Sequence, residues 1–287
     1  MRVSVNISNY TWRGRTLAGS LAEVVRAADD IGLDTVWVPD QLLQADPHAG
    51  SDRDMLEPYT ALGFLAATSR RVRLGTMVSA VTFRPPALLI KAVTTLDVLS
   101  GGRAWLGIGA GYLGSEAEAM GLPLPPTAER FEHLEDALQL AAHMWSGSTE
   151  PFLGRRHRLA APADHPGPLT RPHPPILVGG SGEQRTLRLV AQYADACNLF
   201  DIPDGNQTTR HKLQVLDQHC REVGRPPDEV ERTLSTRQRP DQSLAEFTRH
   251  CQDVAALGIH HVILHSGRAW TVSTIQALSP IVEHLAA

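Results

Sequence analysis

The chain has no long apolar run, no massed positive charge and very little cysteine, and each shortage removes a class of function. No segment reaches the roughly 18 uninterrupted apolar residues that a membrane-spanning helix needs, and the opening MRVSVNISNYTW has no apolar core long enough for a signal peptide. A cytoplasmic protein with no membrane partner is the expectation. Lysine and arginine total 27 against 31 aspartate and glutamate, a formal charge of -4. The basic residues are scattered, not clustered as a binder of phosphate backbones requires, so nucleic acid is not an expected partner. The 3 cysteines, Cys197, Cys220 and Cys251, are odd in number and show neither a CxxC pair nor metal-ligand spacing. Reduced thiols and no bound metal are the expectation.

What is present is an ordinary globular balance, 42% hydrophobic and 20% charged residues, enough for a sizeable core. Short β-branched and apolar runs alternate with amphipathic segments of helical period from end to end. The expected strands are RVSVNI, TVWVP, VRLGTMVSAV, RAWLGIG, PILVGG, DACNLF, ERTLST and HHVILH, eight in all. Between them lie helical patterns such as SLAEVVRAADDIG and AERFEHLEDALQLAAHMW. This rhythm predicts an α/β fold, a (β/α)8 TIM-type barrel, with an open doubly wound sheet as the competitor. The Pro- and Gly-rich residues 151–175 read as an excursion before the fifth strand. The βα rhythm resumes after it without a change in composition, so residues 1–287 are expected to form one domain.

In a barrel the chemistry sits just past the strands' C-terminal ends. Those positions carry few titratable groups, and neither a nucleophile with its base nor a metal cluster is visible. The strongest local signal is ILVGGSGEQRTLRLVAQYAD. There a strand runs into Gly179, Gly180, Ser181 and Gly182 and then a helix opening near Glu183, which would present free backbone N–H groups to a phosphate. A tight glycine turn of no ligand significance is the competing reading. The stretch Gly109-Ala-Gly-Tyr-Leu-Gly114 fits a G-x-G-x-x-G turn, but Pro123, Pro125 and Pro126 interrupt the helix such a turn should open, so a dinucleotide site is not expected. Backbone passing close to a planar ligand fits it better. His261 and His265 share a strand face, yet two histidines without a third ligand do not make a metal site. His265, at the strand's end, is the one retained. The double proline Pro85-Pro86 suits the start of a helix, where a missing N–H does little harm.

Taken in order, VNISNYTW, AADDIGLDTVWVPD, the long run from LEPYTALGF through TFRPPALLIKAVTTLDVLSGGRAWLGIGAGY, GLPLPPTAERFEHLEDALQLAAHMW and RPHPPILVGGSGEQRTLRLVAQYADACN resemble the luciferase-like monooxygenase superfamily. Within it, the chain looks most like the branch of oxidoreductases dependent on the deazaflavin coenzyme F420. The resemblance implies a bacterial luciferase-like barrel that binds F420, or alternatively FMN, at its C-terminal face. It puts the phosphate on Gly179, Gly180, Ser181 and Gly182, and a non-prolyl cis peptide between Met77 and Val78 behind the central ring. Asn6, Asp40, Ala110 and Gly111 would lie near the ring and its ribityl chain. Two departures bear on the reaction. Where several relatives carry a histidine base this chain has Gln41, which cannot titrate, and where some carry an acid it has Tyr112. Gln41, Tyr112 and His265 are therefore the candidate catalytic residues. The leading expectation is hydride transfer between F420 and a small organic substrate, with reduction of an unsaturated or imine bond the favoured direction. An FMN-dependent monooxygenase and a non-catalytic cofactor-binding barrel are the alternatives, and the oligomeric state is left open, a homodimer being what such relatives often form.

Overall fold

The apolar runs become the staves of a barrel in the computed structural model, which describes residues 1–12, 14–45, 53–239 and 241–286. The strands are β1 (Arg2–Asn6), β2 (Thr35–Val38), β3 (Arg73–Thr76), β4 (Ser79–Ala80), β5 (Leu106–Gly109), β6 (Phe152–Leu153), β7 (Arg158–Leu159), β8 (Ile176–Gly179), β9 (Ala196–Phe200), β10 (Glu231–Thr236) and β11 (His261–His265). The helices are α1 (Leu17–Asp30), α2 (Pro58–Thr68), α3 (Pro86–Ser100), α4 (Gly114–Ala119), α5 (Thr127–Trp145), α6 (Thr186–Tyr193), α7 (Gln207–Glu222), α8 (Leu244–Ala255), α9 (Val272–Gln276) and α10 (Ser279–Ala286).

Apart from the β6–β7 hairpin, the strands are parallel in the order β3-β2-β1-β11-β10-β9-β8-β5-β4. The ends of this order meet. Leu74 of β3 bonds to Arg103 and Trp105 on the approach to β5, while β4 pairs with β5 itself. β3 and β4 are thus two halves of one stave, broken at Met77 and Val78, and the barrel has the eight staves that the sequence predicts.

Side chains alternate across each strand, as the pleat requires. Val3 and Val5 of β1 face the helix layer, where most of the apolar core lies. Ser4 and Asn6 face inward, bonded to His261 and His265. The interior is filled by Trp37, Trp105, Leu177, Ala196 and Ile263, with Met77 and Val78 packed against them. The two indoles sit 5.5 Å apart, and a Cβ on Gly75 would stand 2.7 Å from the Trp37 ring and 2.7 Å from Trp105 Cβ. Toward the N-terminal end, buried His261 spans Glu231 (3.0 Å) and Ser4 (2.6 Å), and Trp37 Nε1 donates to the same serine. Burial pushes the Glu231 carboxyl up, but His261 and Arg2 outweigh it and hold it below the usual range. This end is plugged, so a ligand must use the other.

Local chemistry sets the helix ends. Pro85 caps α3 and Pro86 opens it, and Gly101 ends it in the left-handed region at φ 73. Ser243 and Glu246 form a reciprocal capping box on α8. The excursion carries the hairpin and is tied to α3 by Asp97. That buried carboxylate accepts from Leu169 N (2.7 Å), Thr170 N (2.9 Å) and Thr170 Oγ1 (2.7 Å). Asp97→Ala is expected to cost about 2–4 kcal/mol, read from urea unfolding, because it strands these donors. A loss below about half a kilocalorie per mole would contradict that role.

Candidate active site

The open end of the barrel gathers the strand exits. Asn6 ends β1, and its amide Nδ2 lies 3.2 Å from His265 Nδ1, at the end of β11. His265 Nε2 lies 3.0 Å from Ser235 Oγ of β10, and Asn198 Nδ2 of β9 donates to that hydroxyl at 3.0 Å. The two ring nitrogens of His265 thus join Asn6 to Ser235 and Asn198 in one polar row. The Trp270 indole donates to the Asn6 carbonyl at 2.9 Å and fixes the first member of the row.

Across the mouth, Asp40 follows β2 with its side chain fully buried and ion-paired to Arg84 at 2.7 Å. Arg84 also reaches Glu57 (2.6 Å) and lies over the Tyr59 ring. Burial pushes the Asp40 carboxyl up, and the guanidinium pulls in the opposite direction without reversing it. The Tyr59 hydroxyl shares a hydrogen bond with Ser79 Oγ at 2.8 Å, and burial drives its phenol well above the ordinary range. Arg84 is thereby the link between the exits of β2 and β4 and the start of α2.

Between these walls lies the break in the third stave. The Met77–Val78 peptide is cis. The Val78 side chain fills the space in front of two glycines: a Cβ on Gly179 would meet its methyls at 2.7 and 2.9 Å, and one on Gly109 at 3.0 Å. Beyond β8, Gly180 has φ 113, open to glycine and costly for other residues. The loop runs through Ser181 and Gly182 to α6, which opens at Thr186, three residues later than expected at Glu183. Glu183 turns away to Lys212 and His211, and its carboxyl is held below the usual range chiefly by Lys212.

The structure therefore places Asn6 beside His265, and Met77 and Val78 beside Gly179, in one mouth. Ala110 and Gly111 follow β5, with Gly111 at φ 72. Gln41 is half-buried next to Asp40. Tyr112 stands 77% exposed on the rim, away from the inner wall that holds His265. The loop of residues 41–56, which follows Asp40, lies partly outside the described residues. Three buried polar atoms at the mouth, Asn6 Oδ1, Asp40 Oδ1 and Thr82 Oγ1, have no hydrogen-bond partner among the described residues. A planar polar ligand seated against Val78 would give them one, and the glycine loop presents backbone donors suited to a phosphate. The residues present fit a flavin-type group.

Glu116 of α4, buried to 3% exposure, was not singled out by sequence reasoning. It accepts from Leu42 N (2.5 Å) and Leu43 N (2.9 Å) and so fastens the loop that begins at Gln41. Glu116→Ala is expected to cost about 1–3 kcal/mol by leaving two amides unpaired, with Glu116→Gln retaining most of the stability. Equal losses in the two variants would contradict an acceptor role. No helix among the described residues is long and apolar enough to cross a membrane, and no group of three or more His, Cys, Asp or Glu among them could hold a metal ion.

A parallel barrel plugged at one end, with a glycine loop after β8 and a cis peptide shelf at the other, defines a class of cofactor-binding α/β-barrel enzymes. The family model for luciferase-like monooxygenases matches residues 1–269, and the chain belongs to that family. It is 30% identical over 258 residues to an F420-dependent glucose-6-phosphate dehydrogenase of Kineococcus radiotolerans, covering 84% of this chain and 70% of that one. A protein of the same description from Microbacterium testaceum is 29% identical over 242 residues, covering 83% and 70%. Among solved structures, an F420-dependent secondary alcohol dehydrogenase in complex with an F420-acetone adduct superposes with TM-score 0.82 over 98% of both chains, at 17% identity. That last likeness is one of fold.

Proposed function

We propose that this protein is an F420-dependent oxidoreductase that moves a hydride between the deazaflavin and a small organic substrate, acting as a reductase. The dependence of the two sequence relatives on F420, each aligned over more than four-fifths of the chain, is the observation that carries the cofactor. When bound, F420 supplies two-electron hydride chemistry. Gly179, Gly180, Ser181 and Gly182 would hold its phosphate, Met77 and Val78 would back its ring, and Asn6, Asp40, Ala110 and Gly111 would line the remainder.

The direction rests on what the chain's own groups can do with a proton. Oxidising an alcohol requires a base. Gln41 cannot titrate, and Asp40 is committed to Arg84. Reduction requires a weak acid instead. His265, within the Asn198–Ser235–His265–Asn6 row, the Tyr112 hydroxyl at the rim, or solvent at the mouth would supply that proton, so reduction does not depend on a dedicated base. The test is oxidation of F420H2, monitored by absorbance, against a panel of enones and imines. Turnover that falls at least tenfold in His265→Ala supports the reading; turnover only with alcohols and oxidised F420 overturns the direction.

The family's own description favours a second reading, an FMN-dependent monooxygenase. Substrate-dependent oxygenated product from FMNH2 and oxygen, with no response to F420H2, would select it.

A further inference from the structure

Outside the barrel wall and beside the mouth lies a cavity of about 770 Å³, within the size range of small-molecule sites. The loop after β1, helix α1 and the segment after β11 form it. Arg15, Arg53 and Arg268 line it, and among its described lining residues Glu23 is the one carboxylate. Glu23 is occupied by Arg15 through two bonds of 2.5 and 3.1 Å. Arg53 and Arg268 have no acidic partner among the described residues. An excess of guanidinium groups in one cavity runs against a chain whose formal charge is -4.

Two further observations point to a ligand. Ser20 Oγ and Thr11 Oγ1 are buried hydroxyls without a hydrogen-bond partner among the described residues, and both residues line the same cavity. Its inner wall is also fastened to the mouth. Trp12 Nε1 donates to the Trp270 carbonyl at 2.7 Å, and the Trp270 indole donates to the Asn6 carbonyl at 2.9 Å. Arg268 lies three residues beyond His265.

We propose that this cavity is an anion-binding site, separate from the glycine loop, that takes the carboxylate or phosphate group of a small organic anion. The planar guanidiniums of Arg53 and Arg268 would grip such a group through paired charge-assisted hydrogen bonds, and Trp12 would pack against its carbon skeleton. The site needs no bound F420, so it stands or falls apart from the proposed function.

The experiment is calorimetric titration of the whole protein with citrate and with inorganic phosphate, at about 0.15 M ionic strength to screen diffuse attraction. Saturable citrate binding is expected, weakened at least tenfold in the Arg53→Ala/Arg268→Ala variant and unchanged in Gly180→Val, which alters the glycine loop alone. Both arginines sit at the surface, so thermal unfolding should confirm that the double variant keeps its fold. An Arg53→Lys/Arg268→Lys variant should recover part of the affinity. Absence of saturable binding, or binding lost in Gly180→Val and intact in the arginine variant, would overturn the proposal. Competition between citrate and substrate in F420H2 turnover would assign the anionic group to the substrate, and non-competitive modulation would assign it to an effector; both outcomes require the site.

Discussion

Arg84→Met is expected to destabilise the protein by about 3–5 kcal/mol and to abolish detectable F420 binding, because it leaves a fully buried carboxylate without its ion-pair partner. Asp40 has no exposed side-chain surface, and the 2.7 Å contact from Arg84 is its one ion pair among the described residues. Methionine refills part of the volume beside Tyr59, so the loss reports charge more than packing. The effect should depend on pH in a definite sense. Burial already pushes the Asp40 carboxyl up, and removing the guanidinium raises it further. A carboxyl whose folded-state pKa exceeds its unfolded value, about 3.9, favours the folded state at low pH and loses that contribution as pH rises through the folded pKa. The deficit of Arg84→Met against the wild type should therefore be smaller at about pH 5 than at about pH 7.5, both in urea unfolding. Adding Asp40→Asn should recover much of the stability. A deficit that does not change with pH and is not relieved by Asp40→Asn would show that the pair is not what holds this wall.

Gly179→Ala is the second large effect expected, and it acts on the shelf directly. Its new methyl would lie 2.7 Å from one Val78 methyl and 2.9 Å from the other, so Val78 must move. Such crowding typically costs about 1–3 kcal/mol, and displacement of the platform should raise the Kd for F420 at least tenfold, about 1.4 kcal/mol. Val78→Ala removes the clashing methyls. In the double variant most of the affinity should return, giving a coupling energy of about 1–2 kcal/mol in a double-mutant cycle. If Gly179→Ala binds F420 like the wild type, or the two substitutions are simply additive, Val78 does not form the face that the cofactor meets.

Much of the frame was legible because it depends on short-range pattern. Runs such as VRLGTMVSAV and HHVILH are β-branched and bounded by turn residues, and each became a stave of the barrel. Pro85 and Pro86 marked the start of α3 for a reason internal to two residues, their fixed φ and missing N–H. α6 starts about one turn later than expected because Ser181, with Gln184 three residues on, offers a capping signature ahead of Glu183, whereas the helix begins behind Arg185 without a side-chain capping bond. The β6–β7 hairpin has two-residue strands, too short for any period to show. The site was legible as a set of strand ends and not as a network. Nothing in sequence pairs Asn6 with His265, 259 positions apart, or directs Glu116 to amides 73 and 74 positions earlier. Arg84 was on view beside the double proline, but its meaning depends on Asp40 being buried, which only the fold supplies.

The measurement that bears most directly on the central claim is an equilibrium fluorescence titration of the purified protein with F420, set against FMN under the same conditions. Saturable binding of F420, at least tenfold tighter than FMN and weakened in Gly180→Val, is the expected result. No binding of F420, or a clear preference for FMN, would contradict it.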